Sequence, residues 1–583
     1  MRPSAVLAYY STAALTLALA TSVVIAAAPM TPQANARREA GRSPVRCNSD
    51  DRSRVAYGIA PPPIVAHAAP VPTIAPPPPP PPPAPMVALE MASPASNIVV
   101  TATRAPYGAP GNTERYKGHA VAAVQDVAAS PVSTFSVDVD TGAYANARRF
   151  LLQGQPVPPE AVRTEEFINY FRYDYPRPAT PAEPFSVTTD VALTPWNPDT
   201  RLMRIGLRGY DVTGDTRPAA NLVFLVDVSG SMDQPDKLPL VKTSLEGLAD
   251  RLTPRDRVSI VVYAGAAGLV LEPTSSKEYV KAAISCLQAG GSTAGAQGIE
   301  LAYATARANY LPGGVNRIFL ATDGDFNVGV SDDRSLEELV KRNRDDGITL
   351  TTLGYGQGNY NEAMMERIAD VGNGNYSYID SASEARKVLD EELSATMVTI
   401  AKDVKVQVEF NPAHVSQYRL IGYENRALRE EDFANDAVDV GDIGAGHQVT
   451  ALYEVVPAGG RGWTAPRRYE ANQPQAAAAA GGPELAHVRL RYKLPDGRTS
   501  REIARPVPAA LLRAARAPAG DMAFATAVAA FGQRLRGDAM LGGYGYADIR
   551  RLAGSGGSFH RAEFAELTAL ADRDRRGAVG GSE

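Results

Sequence analysis

The stretch Leu222-Val223-Phe224-Leu225-Val226-Asp227-Val228-Ser229-Gly230-Ser231-Met232 decides the fold. Five consecutive apolar residues without polar alternation read as a strand covered on both faces, the pattern of a parallel sheet under helices. The run ends on a carboxylate and enters a Ser/Gly loop, so the carboxyl end of this strand carries oxygen side chains. Downstream the chain alternates. Residues 237–252 predict a helix and 258–263 a second apolar strand. Helices follow over 277–287 and 296–309, then a strand over 318–321, a helix over 336–344 and a strand over 348–353. A helix over 361–371, a strand over 376–379 and a helix over 383–397 complete the series. Strands joined through helices of this length require right-handed crossovers, which predicts an α/β fold: a doubly wound, mainly parallel sheet over about residues 218–400.

In such a sheet, ligands bind at the carboxyl ends of the strands. Asp227, Ser229 and Ser231 place three oxygen side chains on one tight loop there. Gly290-Gly291-Ser292-Thr293 opens a helix and adds the Thr293 hydroxyl. Thr322-Asp323-Gly324 ends a later strand and brings a second carboxylate, Asp323, to the same edge. Oxygen-only ligands favour a hard cation, Mg2+ first, with Ca2+ or Mn2+ as alternatives. Helix capping would account for Asp227, Ser229 and Ser231 alone, but not for Thr293 and Asp323 as well.

The set resembles the metal-ion-dependent adhesion site of von Willebrand factor type A (VWA) domains. Asp227, Ser229 and Ser231 match its Asp-x-Ser-x-Ser motif, and Thr293 and Asp323 match its two distant members in order. The resemblance implies that Ser229, Ser231 and Thr293 bind the metal directly, while Asp227 and Asp323 act mainly through bound water. Two carboxylates balance a divalent cation. Mg2+ takes about six oxygens, so one position is left to water or to the carboxylate of an Asp or Glu on a partner protein. Outside the α/β segment, Ser133-Thr134-Phe135-Ser136-Val137-Asp138-Val139-Asp140-Thr141 and Arg163-Thr164-Glu165-Glu166-Phe167-Ile168-Asn169-Tyr170-Phe171 resemble the N-terminal region of the bacterial YfbK-like VWA family. Tyr418-Arg419-Leu420-Ile421-Gly422-Tyr423-Glu424-Asn425-Arg426 and Ile443-Gly444-Ala445-Gly446-His447 resemble its C-terminal region. The resemblance runs from about residue 120 to the end. It implies a fold and a metal site, with no established reaction.

With 583 residues the chain is too long for one core. Residues 120–217 and 401–583 predict β-rich flanking regions with added helices, expected to pack together so that the α/β domain is an insertion in a β-sandwich. Residues 1–36 read as an export segment. Arg2 precedes an uncharged apolar run over 5–28, and Ala34-Asn35-Ala36 would serve as a cleavage site. Whether it is a cleaved signal or a retained anchor, the rest of the chain is expected outside the cytoplasm, in the periplasm or cell envelope, with membrane contact only through an uncleaved segment. Residues 37–119 predict a disordered linker whose proline run, Pro76 to Pro83, favours polyproline II. Cys47 and Cys286 lie in unlike regions and are not expected to pair.

The net charge of -5, with Lys and Arg interspersed among acids, provides no basic surface for nucleic acid. Catalytic patterns are lacking too: there is no Gly-x-Ser-x-Gly elbow, no His-Glu-x-x-His and no phosphate loop. Asp138-Val139-Asp140 invites a phosphatase reading, but Gly142 stands where that motif wants Thr or Val. The expectation is a non-enzymatic, metal-dependent protein-binding module. The alternatives are an envelope scaffold with a structural metal, or an accessory protein to an envelope complex.

Overall fold

The computed structural model describes residues 45–46 and 113–580, apart from 138, 213–215, 293–294, 325–332, 392–394, 396, 465–481, 496 and 555. The expected export segment, the proline run, Cys47, Thr293 and Asp138 lie outside the described residues. No helix among the described residues is long and apolar enough to cross a membrane.

The chain begins with β1 (Gln125–Asp126), β2 (Val132–Ser136), α1 (Gly142–Leu152), α2 (Thr164–Tyr170), β3 (Phe185–Leu193) and β4 (Arg201–Gly209). The α/β domain follows: β5 (Ala220–Asp227), α3 (Leu238–Arg251), β6 (Arg257–Tyr263), β7 (Ala267–Thr274), α4 (Lys277–Ser285), α5 (Gly295–Ala308), β8 (Val315–Thr322), α6 (Asp333–Asp345), β9 (Thr349–Tyr355), α7 (Glu362–Val371), β10 (Tyr376–Ile379) and α8 (Ala382–Arg386). After it come β11 (Thr399–Phe410), β12 (Val415–Ile421), β13 (Ala427–Leu428), β14 (Ile443–Gly444), β15 (Gln448–Pro457), β16 (Glu484–Lys493), β17 (Ser500–Pro508), α9 (Ala510–Ala514), α10 (Gly520–Leu535), α11 (Tyr546–Ala553) and α12 (Phe559–Gly580).

The α/β sheet has the order β10-β9-β8-β5-β6-β7. All neighbours are parallel except β6 and β7. Every residue of β5 is buried, as its uninterrupted apolar run requires. Helix α3 buries Leu238, Val241, Leu245, Leu248 and Ala249, which recur at helical spacing, and Pro239 sits in its first turn, where a missing N–H costs nothing. From β5 the chain moves outward on one side through β6 and β7, then returns to β8 on the other. The strand order therefore reverses between β5 and β8, and a crevice opens at their carboxyl ends.

The flanks share two further sheets. One runs β1-β12-β15-β4-β3, the other β13-β2-β11-β16-β17 with β14 paired to β11. Each takes strands from both sides of the α/β domain, so neither flank holds a complete sheet and the domain is inserted between strands of a sandwich. Aromatic rings fill the space between the two sheets: Phe410 of β11 lies 4.4 Å from Tyr418 and 5.3 Å from Tyr453. A helical layer of α1, α2, α10, α11 and α12 packs a second core, in which Phe171, Phe524 and Phe564 meet edge to face.

The sheet is mainly parallel, as expected, and its antiparallel edge strand β7 is one the sequence reading did not place. Three sequence expectations are corrected. The apolar residues Val162, Phe167, Ile168 and Phe171 predict one helix over 159–171, but it is interrupted, because Val162 and Arg163 are extended and Arg163 turns its side chain into a buried ion-pair group. The helix expected over 383–397 changes after α8 into a π-helical turn, Lys387–Glu391. The expectation of unpaired cysteines also fails at Cys286, which is disulfide-bonded. Two described residues ahead of Cys47 lie on the strand beside the Cys286 helix. Val45 bridges Leu271, Arg46 N–H donates to Val270 O at 2.9 Å, and Arg46 pairs with Glu272, all on the edge strand β7 beside α4.

Buried ion pairs join the α/β domain to its flanks. Arg163, 4% exposed, meets Glu166 at 2.5 Å, Glu362 at 3.1 Å and Glu366 at 3.1 Å. Arg426 also reaches Glu366, at 3.6 Å, but Arg163 is the ion-pair partner of Glu362. Burial pushes the Glu362 carboxyl up to about 8, against the pull of Arg163. The folded state therefore holds a proton that the unfolded chain releases near its ordinary value of 4.5, so this group's contribution to stability is full below that value and is lost as pH rises to about 8. Urea unfolding between pH 5 and 8 is expected to show parent stability falling with pH, and Glu362→Gln to flatten that fall by on the order of a few kcal/mol. A parallel decline in both proteins would remove Glu362 as its source.

Candidate metal centre

Asp227 ends β5 and Thr322 ends β8, so the two strands on either side of the crevice deliver their last side chains to one place. Asp227 is fully buried, and both of its oxygens are engaged. Oδ1 accepts the Ser229 N–H at 2.9 Å, while Oδ2 accepts the Tyr263 hydroxyl and the Thr322 hydroxyl, each at 3.0 Å. Tyr263 is there because β5 and β6 run in parallel register with Asp227 beside it. Burial pushes the Asp227 carboxyl up to about 6, against the hydrogen bonds from Ser229.

The loop after Asp227 is held from its own side and from the Gly-rich turn. Ser229 Oγ and Ser231 Oγ lie 3.0 Å apart. Gly230 N–H donates to Gly291 O at 3.0 Å, and Gly290 N–H donates to Val228 O at 2.8 Å. The segment leading to Thr293 thus abuts the Asp-Ser-Ser loop, although Thr293 itself is not described. Ser229 is buried and Ser231 is exposed, so the hydroxyls climb from the sheet edge to the surface.

Asp323 follows β8 and is also fully buried. Its Oδ2 accepts the Lys237 ammonium at 2.9 Å, and Lys237 also donates to Asn359 Oδ1 at 3.1 Å. Burial pushes Asp323 up, but the Lys237 charge and hydrogen bonds from Lys237, Ser231 and Asn359 win and hold it below the ordinary carboxylate value. Gly324 turns the chain away with φ +85, and a Cβ there would meet Asn361 N at 2.5 Å, so both conformation and space demand glycine.

Of the five residues singled out in the sequence, the structure brings Asp227, Ser229, Ser231 and Asp323 together. Ser229 and Ser231 could hold a cation directly, with the Asp227 and Asp323 carboxylates behind them. Among the described residues, no three His, Cys, Asp or Glu side chains are grouped to hold a metal, so a cation here depends on hydroxyls. Sequence reading missed Lys237, Tyr263, Thr322 and Asn359. Thr322 and Tyr263 carried a signal, each being the last residue of a strand that ends at the same edge. Lys237 and Asn359 carried none.

Three family models match this chain: von Willebrand factor over residues 110–204, von Willebrand factor type A domain over 221–392, and Uncharacterized protein YfbK, C-terminal, over 395–573. Uncharacterized protein YfbK of Escherichia coli (strain K12) is 46% identical over 472 residues, spanning 79% of this chain and 81% of that one. The chain belongs to the YfbK-like family of VWA-domain proteins. In this YfbK-like chain the family models change over between residues 204 and 221 and between 392 and 395, where the chain passes from the sandwich into the α/β sheet and back. Protein sll0103 of Synechocystis sp. is 37% identical over 188 residues, 32% of this chain and 43% of that one. Among solved structures, BatB from Bacteroides thetaiotaomicron has a TM-score of 0.26 at 24% identity, covering 30% of this YfbK-like chain and 97% of its own. Proximal thread matrix protein 1 from the mussel byssus, with a zinc-occupied MIDAS motif, has a TM-score of 0.26 at 23% identity, covering 32% and 46%.

Proposed function

We propose that this chain is a non-enzymatic protein-binding module of the bacterial cell envelope that works through a divalent cation. A VWA domain is compatible with metal-dependent protein interaction in general. The observation that carries the finer reading is the convergence of two fully buried carboxylates, Asp227 and Asp323, beneath the exposed Ser231 hydroxyl at the switch point of the sheet. Mg2+ would be held by Ser229, Ser231 and Thr293, with Asp227 and Asp323 supplying negative charge behind them. A bound Mg2+ would supply a strong local attraction for an Asp or Glu carboxylate of a partner protein. An exposed rim suits binding, whereas a purely structural metal would have no need of one. Export is supported by the apolar segment after Arg2 and by the disulfide at Cys286, since disulfides persist in oxidising compartments.

Calorimetric titration of Mg2+ into the full chain, beside Asp227→Ala, tests this reading. Uptake by the parent and none by the variant is expected. A folded parent that takes up none of Mg2+, Ca2+ or Mn2+ would sink the mechanism and leave a scaffold.

A further inference from the structure

Lys237 stands outside the Asp-x-Ser-x-Ser pattern, yet its ammonium is inside the site, 2.9 Å from Asp323 Oδ2. Its side chain is only 6% exposed. The stem runs beneath Gly356, where φ is +72 and any Cβ would collide with the Lys237 Cγ and Cε atoms. A glycine at that position leaves the lysine its channel. The far wall is fixed as well. Asn359, which accepts from the ammonium at 3.1 Å, belongs to a loop clamped by residues 113–115, the end of the segment expected as a disordered linker, which is ordered here. Thr113 N–H donates to Gly358 O at 2.7 Å, Arg115 N–H donates to Tyr360 O at 2.9 Å, and Glu114 Oε1 accepts the Gly358 N–H at 2.8 Å. The lysine is therefore set in place by several segments of chain.

Its charge changes the balance of the site. Asp227 and Asp323 bring two negative charges, and Lys237 returns one positive. A divalent cation then leaves the site with one positive charge in excess, where the same site without lysine would be neutral. Buried charges are poorly screened, so the excess is felt at the open coordination position. We infer that Lys237 makes cation and anion binding at this site interdependent, so that the metal is held weakly alone and firmly once a carboxylate takes the open position. This rests on the metal reading proposed above. Lys237 acts as a positioning residue that selects an anionic partner over a neutral one. The coupling is reciprocal: the carboxylate tightens the metal by the factor by which the metal tightens the carboxylate.

The test is Mn2+ binding to the full chain, followed by loss of the free-ion electron paramagnetic resonance signal, in chloride and in acetate at matched ionic strength. The parent is expected to bind about tenfold more tightly in acetate. Lys237→Met, which keeps the stem and drops the charge, is expected to bind about tenfold more tightly than the parent in chloride and to gain little from acetate. Lys237→Gln checks that the effect follows charge and not packing. Binding by the variants but not by the parent in chloride would support the same conclusion. Variants as weak as the parent in chloride, or as responsive to acetate, overturn the inference while leaving the metal site standing. Absence of Mn2+ binding in the parent and both variants, in either salt, overturns the metal reading and this inference with it.

Discussion

Arg148→Ala is expected to destabilise the folded chain by about 3–5 kcal/mol, the cost of breaking a buried ion pair from one side. Arg148 is 2% exposed and lies on α1, outside the α/β domain. Its guanidinium reaches Asp380 at 2.5 and 2.7 Å, Glu384 at 2.7 Å, the Tyr170 hydroxyl at 2.8 Å and Glu563 at 3.1 Å. These partners belong to the end of the α/β domain, to α2 and to the last helix, so one side chain ties three parts of the chain together. Removing it takes the guanidinium from Asp380 and Glu384, 4% and 1% exposed, and leaves Lys387, over the Tyr170 ring at 4.2 Å, as the nearby cation. Burial already pushes Asp380 up against the pull of Arg148. Urea unfolding is the measurement. Adding Asp380→Asn and Glu384→Gln to the variant should recover most of the loss, because the penalty lies in the orphaned charges. A loss below about 1 kcal/mol would show that the network is solvated and carries little of the stability.

The second large effect is on metal response. In thermal melts, saturating Mg2+ is expected to stabilise the parent by about 2.7 kcal/mol at a hundredfold excess over Kd. Asp227→Asn is expected to abolish that shift. The same variant should melt no lower than the parent in chelator. Asn retains an oxygen for the Ser229 N–H, and the Tyr263 and Thr322 hydroxyls can turn to accept from its amide. It also removes a fully buried carboxylate charge that, unlike that of Asp323 with Lys237, has hydrogen bonds but no ammonium beside it. Cost without metal and necessity with metal are the two faces of one carboxylate. A variant that still shifts with Mg2+ would move the cation away from Asp227. A variant that melts well below the parent in chelator would make Asp227 a structural residue first.

Much of the α/β domain was legible because its evidence is local. Leu222 to Val226 can only be a strand buried on both faces, and the buried positions of α3 recur at helical spacing. Asp227, Ser229 and Ser231 share a loop, and Asp323 follows a strand that had to end at the same edge. Strand β7 was missed because glycine interrupts its alternation, and α11 because it spans only eight residues, too few turns for its apolar face to stand out. The break before α2 was missed for another reason. Arg163 leaves the helix to meet Glu362, 199 residues away.

The sequence by itself determined the strand-helix alternation, the run of oxygen side chains in the candidate site and the edge of the sheet at which they gather. These follow from periodicity and from where strands must stop, and both are properties of short windows. The expectation that the flanks form one sandwich around the inserted domain was also met, but tertiary structure alone decided which strands pair across it, that Cys286 is bonded, and that Arg148 and Lys237 become buried cations. Lys237 and Asp323 are 86 residues apart. No pattern in either neighbourhood marks the pair, because a buried charge is specified by the partner that folding brings to it and not by its neighbours along the chain.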